Sequence, residues 1–318
     1  MHNKEYRPTL AQLRTFVTIA ENKHFGTAAT KLQISQPSLS QALVALEQGL
    51  GVQLIERSTR KVIVTTAGES LLPYAKATLE AADAFLAHAR GANGTLTGPL
   101  TIGIIPTIAP YILPDLLTSI AERFPELEPR FVEEQTDNLV QRLRDGQLDV
   151  AIMALPAESH GLVEVPLYHE NFRVVTNVSH PLAGRTDLEL TQLDELDLLL
   201  LDDGHCLRDQ ILDLCRTAHI NPAEATNAVT RASSLTTIMQ LVMGNLGSTL
   251  VPESALATEC GNPELAVGRF APDVVAERTI GLVFRSSAAR SQEFEELGAL
   301  VTAAFHNAVE RSAPLSPA

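Results

Sequence analysis

The chain has 318 residues, 45% of them hydrophobic and none of them Trp, which suits two or three domains with ordinary soluble cores. It contains no run apolar enough to span a membrane, and its start, Met-His-Asn-Lys-Glu-Tyr-Arg-Pro, lacks the apolar core of a secretory signal, so a cytoplasmic location with reduced thiols is expected. The net charge of −14 is uneven: residues 1–90 carry 10 Lys/Arg against 7 Asp/Glu, the remainder 14 against 31, and no lysine follows Lys76, as expected when only the first domain meets phosphate.

Three helical patterns open the chain, at 10–22, 25–32 and 36–48. Only Gln33-Ile34-Ser35 joins the second to the third. Ser35 is a good N-cap, and Pro37 sits in the first turn, where its missing N–H costs little. Along the third helix Leu39, Leu43 and Leu46 form one apolar stripe, while Gln36, Ser38, Ser40 and Gln41 project polar groups from other faces. Ala28 and Ala29 are small enough for close helix approach. The pattern is a helix-turn-helix whose third helix reads DNA through Gln36, Ser38 and Gln41.

Residues 53–65 read as a two-stranded wing that sets Arg57, Arg60 and Lys61 against phosphate or the minor groove. A helix then runs over 66–89 with Leu72, Ala75, Leu79, Ala82 and Leu86 spaced alternately three and four apart. Such a seam is expected to pair with the same helix of a second subunit, with packing on the chain's own body as the alternative. Together these elements resemble the LysR-type transcriptional regulators over residues 8–90. Ala28-Ala29, Ser35-Gln36-Pro37-Ser38-Leu39-Ser40, Arg57-Ser58-Thr59-Arg60 and Val64-Thr65-Thr66-Ala67-Gly68 carry the resemblance, and Ile55 departs from it where these proteins more often have Phe.

Gly91-Ala92-Asn93-Gly94 breaks the helix, and the body follows. Apolar strands at 100–105, 128–134 and 149–153 alternate with helices at 111–123 and 138–145, which predicts a largely parallel sheet. A second such unit begins near 172–175, includes a helix at 235–243 and ends near 251–252; residues 278–285 return as a strand to the first lobe, and a helix covers 292–309. The fold class expected is α/β: an N-terminal winged helix-turn-helix (1–66), a long linker and dimerisation helix with its hinge (67–94), and a two-lobed regulatory domain (95–318). The resemblance implies that this last domain is periplasmic-binding-protein-like, with its site in the interlobe cleft.

Cys206 and Cys215 lie nine residues apart. On a helix over 207–218 that spacing separates them by roughly 13.5 Å along the axis and about 180° around it, beyond the roughly 4.4–6.8 Å that a disulfide spans. A pair that joins only if the segment unwinds has the geometry of a redox switch. Cys215, among Leu212, Leu214 and Ala218, equally fits a small buried apolar residue. Cys206 follows Asp202-Asp203-Gly204, a loop entering a helix whose unpaired N–H groups favour a thiolate. Cys260, in a Glu-Cys-Gly-Asn-Pro loop, reads as a bystander.

Gly204-His205-Cys206-Leu207-Arg208-Asp209 with its second cysteine, Ile105-Pro106-Thr107, Glu134-Gln135-Thr136 and Arg278-Thr279-Ile280-Gly281-Leu282-Val283 resemble the OxyR-type hydrogen peroxide sensors within that family. The resemblance implies a DNA-binding regulator, not an enzyme, in which Cys206 is the peroxidatic thiol and Cys215 resolves its sulfenic acid into a Cys206–Cys215 disulfide. It also implies that Thr107, Thr136, His205 and Arg278 form the peroxide pocket, with Arg208 and Asp209 supporting it. No metal or other cofactor is required, and the expected partners are promoter DNA, hydrogen peroxide and a second copy of the chain, as a dimer or a tetramer made of two dimers. The alternatives are a metabolite-responsive LysR-type regulator with incidental cysteines, and a metal sensor using Cys215, His219, His205 and Cys206.

Overall fold

A computed structural model describes residues 6–57, 62–89, 96–157, 160–221, 226–286, 288 and 293–315. Arg60, Lys61 and the glycine-rich hinge at 91–94 lie outside the described residues, as do the side chains of Arg57 and Leu86. The chain forms two compact units: Met1–Gly94 with Arg144–Gln147 and Ser287–Arg290, and Thr95–Leu143 with Leu148–Ser286 and Ser291–Ala318.

In the first unit, α1 (Leu10–Asn22), α2 (Phe25–Lys31) and α3 (Gln36–Leu50) begin at the N-caps Thr9, His24 and Ser35. Each cap side chain accepts a backbone N–H of its helix. Helix α3 runs past the predicted Gln48 and stops at Gly51, whose φ of 73° is the left-handed cap that glycine adopts freely. Phe16, Ile19, Ala28, Leu39, Leu43 and Leu46 are buried together, each large side chain stabilising the unit by roughly 1.5–3 kcal/mol. The wing is an antiparallel pair, β1 (Ile55–Arg57) with β2 (Val62–Val64). Glu47 Oε1 accepts the N–H groups of Leu54 at 2.8 Å and Ile55 at 3.0 Å, so α3 fixes the start of the wing.

In helix α4 (Thr66–Ala89), Ala75 and Leu79 are buried, and Leu72 packs, in the same core as α1 and α3, so the chain's own head covers the N-terminal part of the apolar seam. Lys76 is buried as well and reaches Glu21 of α1 at 3.0 Å. Periodicity identified an apolar face but not what covers it. The face left open carries Tyr74 and Phe85, 70% and 73% exposed and eleven residues apart, hence almost in line along the helix.

The second unit is built on a seven-stranded sheet in the order β10-β6-β11-β5-β3-β4, with β9 also paired to β6. These strands are β3 (Gly98–Ile104), β4 (Leu127–Glu133), β5 (Val150–Leu155), β6 (Leu162–Asn177), β9 (Thr249–Pro252), β10 (Leu265–Gly268) and β11 (Glu277–Arg285). Only β3–β4 and β3–β5 are parallel; β11 runs antiparallel to β5 and β6, and β9 and β10 run antiparallel to β6. The sheet is therefore mixed, not largely parallel. The cause is β6, sixteen residues long, which starts ten residues before the predicted 172 and carries the sheet from one half of the unit to the other. A separate parallel pair, β7 (Leu198–Leu201) and β8 (Thr226–Ala232), joins the second half. Helices α5 (Ala109–Arg123), α6 (Thr136–Arg144), α7 (Cys206–Thr217), α8 (Leu235–Met243), α9 (Leu256–Glu259) and α10 (Phe294–Ser312) complete the unit.

Candidate functional site

The parallel strands β3 and β4 end side by side, Ile104 opposite Glu133. The turn after β3 holds Thr107, and α6 begins at Thr136, so two threonines stand at the carboxyl ends of neighbouring strands, where open α/β sheets bind ligands. From the other half, β7 leads through Asp202, Asp203 and Gly204 to His205, the N-cap of α7, and Cys206 is its first helical residue. The helix thus starts one residue before the predicted Leu207. Gly204 has φ +90°, a backbone conformation that favours glycine, and a Cβ there would lie 2.6 Å from Gln135 Oε1, the end of a side chain that would have to shift.

Arg278 links the two sides. Its Nη1 donates to Thr107 Oγ1 at 2.9 Å and its Nη2 to Thr107 O at 3.0 Å. Because the Thr107 hydroxyl oxygen accepts from Arg278, its own proton is left to donate elsewhere. On the other side Arg278 Nε donates to Glu170 Oε2 at 2.8 Å, with Nη2 2.7 Å from the same oxygen. Thr107, Arg278 and Glu170 are all buried.

Cys206 is half-buried and free. Burial pushes its thiol above the usual value, while Arg278, the Thr136 hydroxyl and the Leu207 N–H pull the other way and Asp209 raises it slightly. The helix end does act on the sulfur as expected, yet desolvation outweighs it, and those three groups offset the burial only in part. The Thr136 hydroxyl makes no hydrogen bond of good geometry, so its contact with the thiol is a poorly aligned one.

Thr136 Oγ1, His205 Nδ1 and Gln210 Oε1 are all buried and lack a hydrogen-bond partner. All three belong to residues at the Cys206 end of α7 or acting on its thiol. Burial also lowers the His205 pKa, with Asp202 and Glu133 opposing, which disfavours the imidazolium. Gln210 escaped the sequence reading, although its i, i+4 relation to Cys206 puts both on one face of α7.

The remaining candidates stand apart from the thiol. Arg208 pairs with Asp203 at 3.0 Å and points Nη1 at Leu201 O, stiffening the 201–208 turn. Asp209 is exposed, its pKa raised by partial desolvation and by Asp213. Cys215 is fully buried on the core stripe Leu207, Ile211, Cys215, opposite Cys206. Cys260 lies in the core with its sulfur 4.0 Å from that of Met239, and burial pushes its thiol up to about 12. Among the described residues no three His, Cys, Asp or Glu side chains are grouped to hold a metal, and no helix is long and apolar enough to cross a membrane. In the head, Gln36, Ser38 and Gln41 are exposed on α3, with Ser38 Oγ 2.8 Å from the capping Ser35 Oγ. Val44 is exposed beside Gln41, a feature absent from the sequence reading.

Comparison with known proteins matches two families. Residues 10–69 match the bacterial regulatory helix-turn-helix proteins of the lysR family, and residues 93–306 match the LysR substrate binding domain. A probable hydrogen peroxide-inducible genes activator of Mycobacterium leprae is 49% identical over 301 residues, covering 95% of this chain and 96% of the relative. The hydrogen peroxide-bound C206S mutant of Corynebacterium glutamicum OxyR is 68% identical with a TM-score of 0.71, covering 98% of this chain and 97% of that one. The oxidised form of the same OxyR is also 68% identical, with a TM-score of 0.63, covering 99% and 96%.

Proposed function

The chain belongs to the LysR family of bacterial helix-turn-helix regulators, and within it we propose that this protein senses hydrogen peroxide, with oxidation of Cys206 controlling how its head binds promoter DNA. One observation carries the reading. A half-buried thiol lies in the field of a guanidinium fixed by Thr107 and Glu170, at a helix end where Thr136, His205 and Gln210 carry buried polar atoms that lack partners. The relative named for hydrogen peroxide induction, and the peroxide-bound structure of the Corynebacterium glutamicum OxyR mutant, support the same chemistry.

The Cys206 sulfur attacks one peroxide oxygen: the S–O bond forms as the O–O bond breaks, sulfur loses two electrons, and the departing hydroxide takes a proton to become water. In-line attack needs the peroxide fixed and donors aimed at the departing oxygen. The Thr107 hydroxyl proton and the remaining Arg278 Nη1–H serve as those donors, while Thr136, His205 and Gln210 hold the molecule through their unpartnered atoms. Cys215 then attacks the sulfenic acid; the S–S bond forms and the hydroxyl leaves as water. Each chain reacts once per signal, so the reaction is signalling and not turnover.

Residues 1–66 bind DNA, with Gln36, Ser38 and Gln41 at the bases and Arg57 and Arg60 at phosphate. The body, as two periplasmic-binding-protein-like lobes, senses peroxide in the cytoplasm. Dimers form through the linker helix and hinge of residues 67–94, here by the open Tyr74 and Phe85 face of the helix, and two dimers make a tetramer. The disulfide remodels the 206–215 segment and with it the spacing of the two heads on DNA.

Free-thiol titration before and after one equivalent of peroxide, read beside promoter binding, tests the proposal. Wild type loses two thiols per chain and changes its promoter contacts; Cys215→Ser stops at the sulfenic acid. A full promoter response from Cys206→Ser would exclude the mechanism.

A further inference from the structure

Arg278 is anchored twice, and the second anchor lies outside the peroxide pocket. Arg278 of β11 is the direct cross-strand neighbour of Glu170 of β6, and both side chains are inaccessible, at 0% and 1% exposure. Glu170 uses both oxygens: Oε2 accepts Arg278 Nε–H and forms an ion pair with Nη2 at 2.7 Å, and Oε1 accepts the Ser254 N–H at 3.2 Å and the Ser254 hydroxyl. A carboxylate held at both ends cannot rotate. The turn that bears Ser254 is itself tied to β6, because Glu253 pairs with Arg173 at 2.7 Å. Three of the five Arg278 N–H groups donate in this way, Nε to Glu170 and one each from Nη1 and Nη2 to Thr107, and Nη2 also lies within ion-pair distance of Glu170.

A buried ion pair is a poor source of stability, since apolar residues of similar volume do as well or better. Its presence calls for a use of the charge. The charged and titratable groups that interact with Arg278 are Glu170, Cys206, Tyr168 and Tyr111; those acting on Cys206 are Arg278 and Asp209; Tyr111 and Tyr168 both feel Glu170 as well. Cys206 is the reactive member of that set.

We propose that Glu170, backed by Ser254, is a positioning residue for the peroxide reaction: it aims the Arg278 guanidinium at the pocket and, as its countercharge, tempers the positive field at Cys206. The inference rests on the peroxide-sensing reading and adds to it two effects of opposite sign. Removing the Glu170 charge strengthens the field and favours the thiolate. Loosening the guanidinium misaligns the donors and slows the attack. Thiolate fraction and intrinsic reactivity therefore move apart.

The test uses full-length reduced protein and follows Cys206 by mass spectrometry. Alkylation by iodoacetamide across pH gives the thiol midpoint without peroxide, and stopped-flow oxidation at pH above the midpoint gives the plateau rate. In Glu170→Gln the midpoint falls by roughly one unit. Its plateau rate falls roughly tenfold or more, the scale seen when a group that orients a functional residue is lost. Glu170→Asp keeps the charge but shortens the reach, so the midpoint returns to wild type while the rate stays low; Ser254→Ala gives a smaller rate loss at an unchanged midpoint. If the Gln variant does not fold, Glu170→Asp and Ser254→Ala decide the matter. An unchanged or raised midpoint in Glu170→Gln, or unchanged plateau rates in Glu170→Asp and Ser254→Ala, overturns the proposal. If wild-type Cys206 reacted no faster with peroxide than with a bulky disulfide, the sensor reading itself would fail, whatever the alkylation profiles show.

Discussion

Thr107→Val is the sharpest single perturbation of the candidate pocket, because it keeps the shape of a buried side chain and deletes one oxygen. That oxygen accepts Arg278 Nη1 at 2.9 Å, while the Thr107 carbonyl, which the substitution spares, accepts Nη2 at 3.0 Å. Arg278 therefore stays in place with one buried N–H unpaired, at a cost of about 1–3 kcal/mol in folding stability. The effect on rate is larger. Loss of one donor aimed at the departing oxygen lowers the rate by roughly 10²–10³, or about 2.7–4 kcal/mol of barrier. Stopped-flow oxidation of Cys206 by peroxide measures that loss, and a bulky disulfide oxidant, which needs no peroxide-holding donors, supplies the reference. The expected result is a large loss for peroxide and a small one for the disulfide, with recovery in Thr107→Ser. Equal losses for both oxidants would mean that Thr107 maintains the fold or the thiolate and holds no peroxide.

Gly204→Ala meets both a left-handed φ and Gln135 Oε1, so it costs about 1–2 kcal/mol from the backbone alone; in urea denaturation Gln135→Ala should relieve only the remainder, and complete rescue would discount the backbone term. His205 has a lowered folded pKa, so the unfolded chain binds the extra proton first. Stability is full above the unfolded pKa of about 6.5 and falls as pH drops through it toward the folded value; His205→Asn should flatten that slope in thermal melts from pH 7 to 5, and an unchanged slope refutes the assignment. Arg57→Ala and Arg60→Ala should each weaken DNA binding and reduce the salt slope by about 1, and unaltered titrations would remove the wing from the interface. Amide exchange in the reduced protein should be faster in the first turn of α7 than at 213–217, whereas uniform protection would contradict the helix-end argument below.

The head was legible because its signals are local. Leu39, Leu43 and Leu46 declare a helix face within eight residues, and Ser35 with Pro37 declares its start. The α4 seam shows the limit of such reading: Leu72, Ala75 and Leu79 reveal an apolar stripe, but only the fold shows that α1 and α3 cover it. In the body, β6 was half hidden because Glu164, His169 and Glu170 interrupt its apolar run, so only its last stretch looked like a strand. That interruption is where the site is braced. Glu170 lies 108 residues from Arg278, and no local pattern announces their pairing, which register alone creates. The direction of the Cys206 pKa was misjudged for the same reason: the helix end is written in the sequence, whereas desolvation is a property of everything packed around the sulfur.

Helix α7 has one face for chemistry and one for stability. Cys206 and Gln210 share the first, Leu207, Ile211 and Cys215 the second, and the disulfide of the proposed mechanism has to abolish that division. The two ends of the helix are not equally able to yield. At its C-terminal end His219 adopts a left-handed φ of 59°, and the N–H groups of Ala218 and Ile220 close onto the carbonyls of Leu214 and Cys215. At its N-terminal end His205 makes no side-chain cap bond, unlike the caps of α1, α2, α3 and α8. Such a bond is typically worth about 1 kcal/mol, so the first turn opens more cheaply than the last. On the proposed mechanism, unwinding would proceed from Cys206 toward Cys215, and the oxidised sulfur would leave the pocket before the core surrenders its partner. That order keeps Cys215 sealed in the reduced protein and ties its exposure to prior oxidation of Cys206, which is what separates a peroxide signal from general thiol damage.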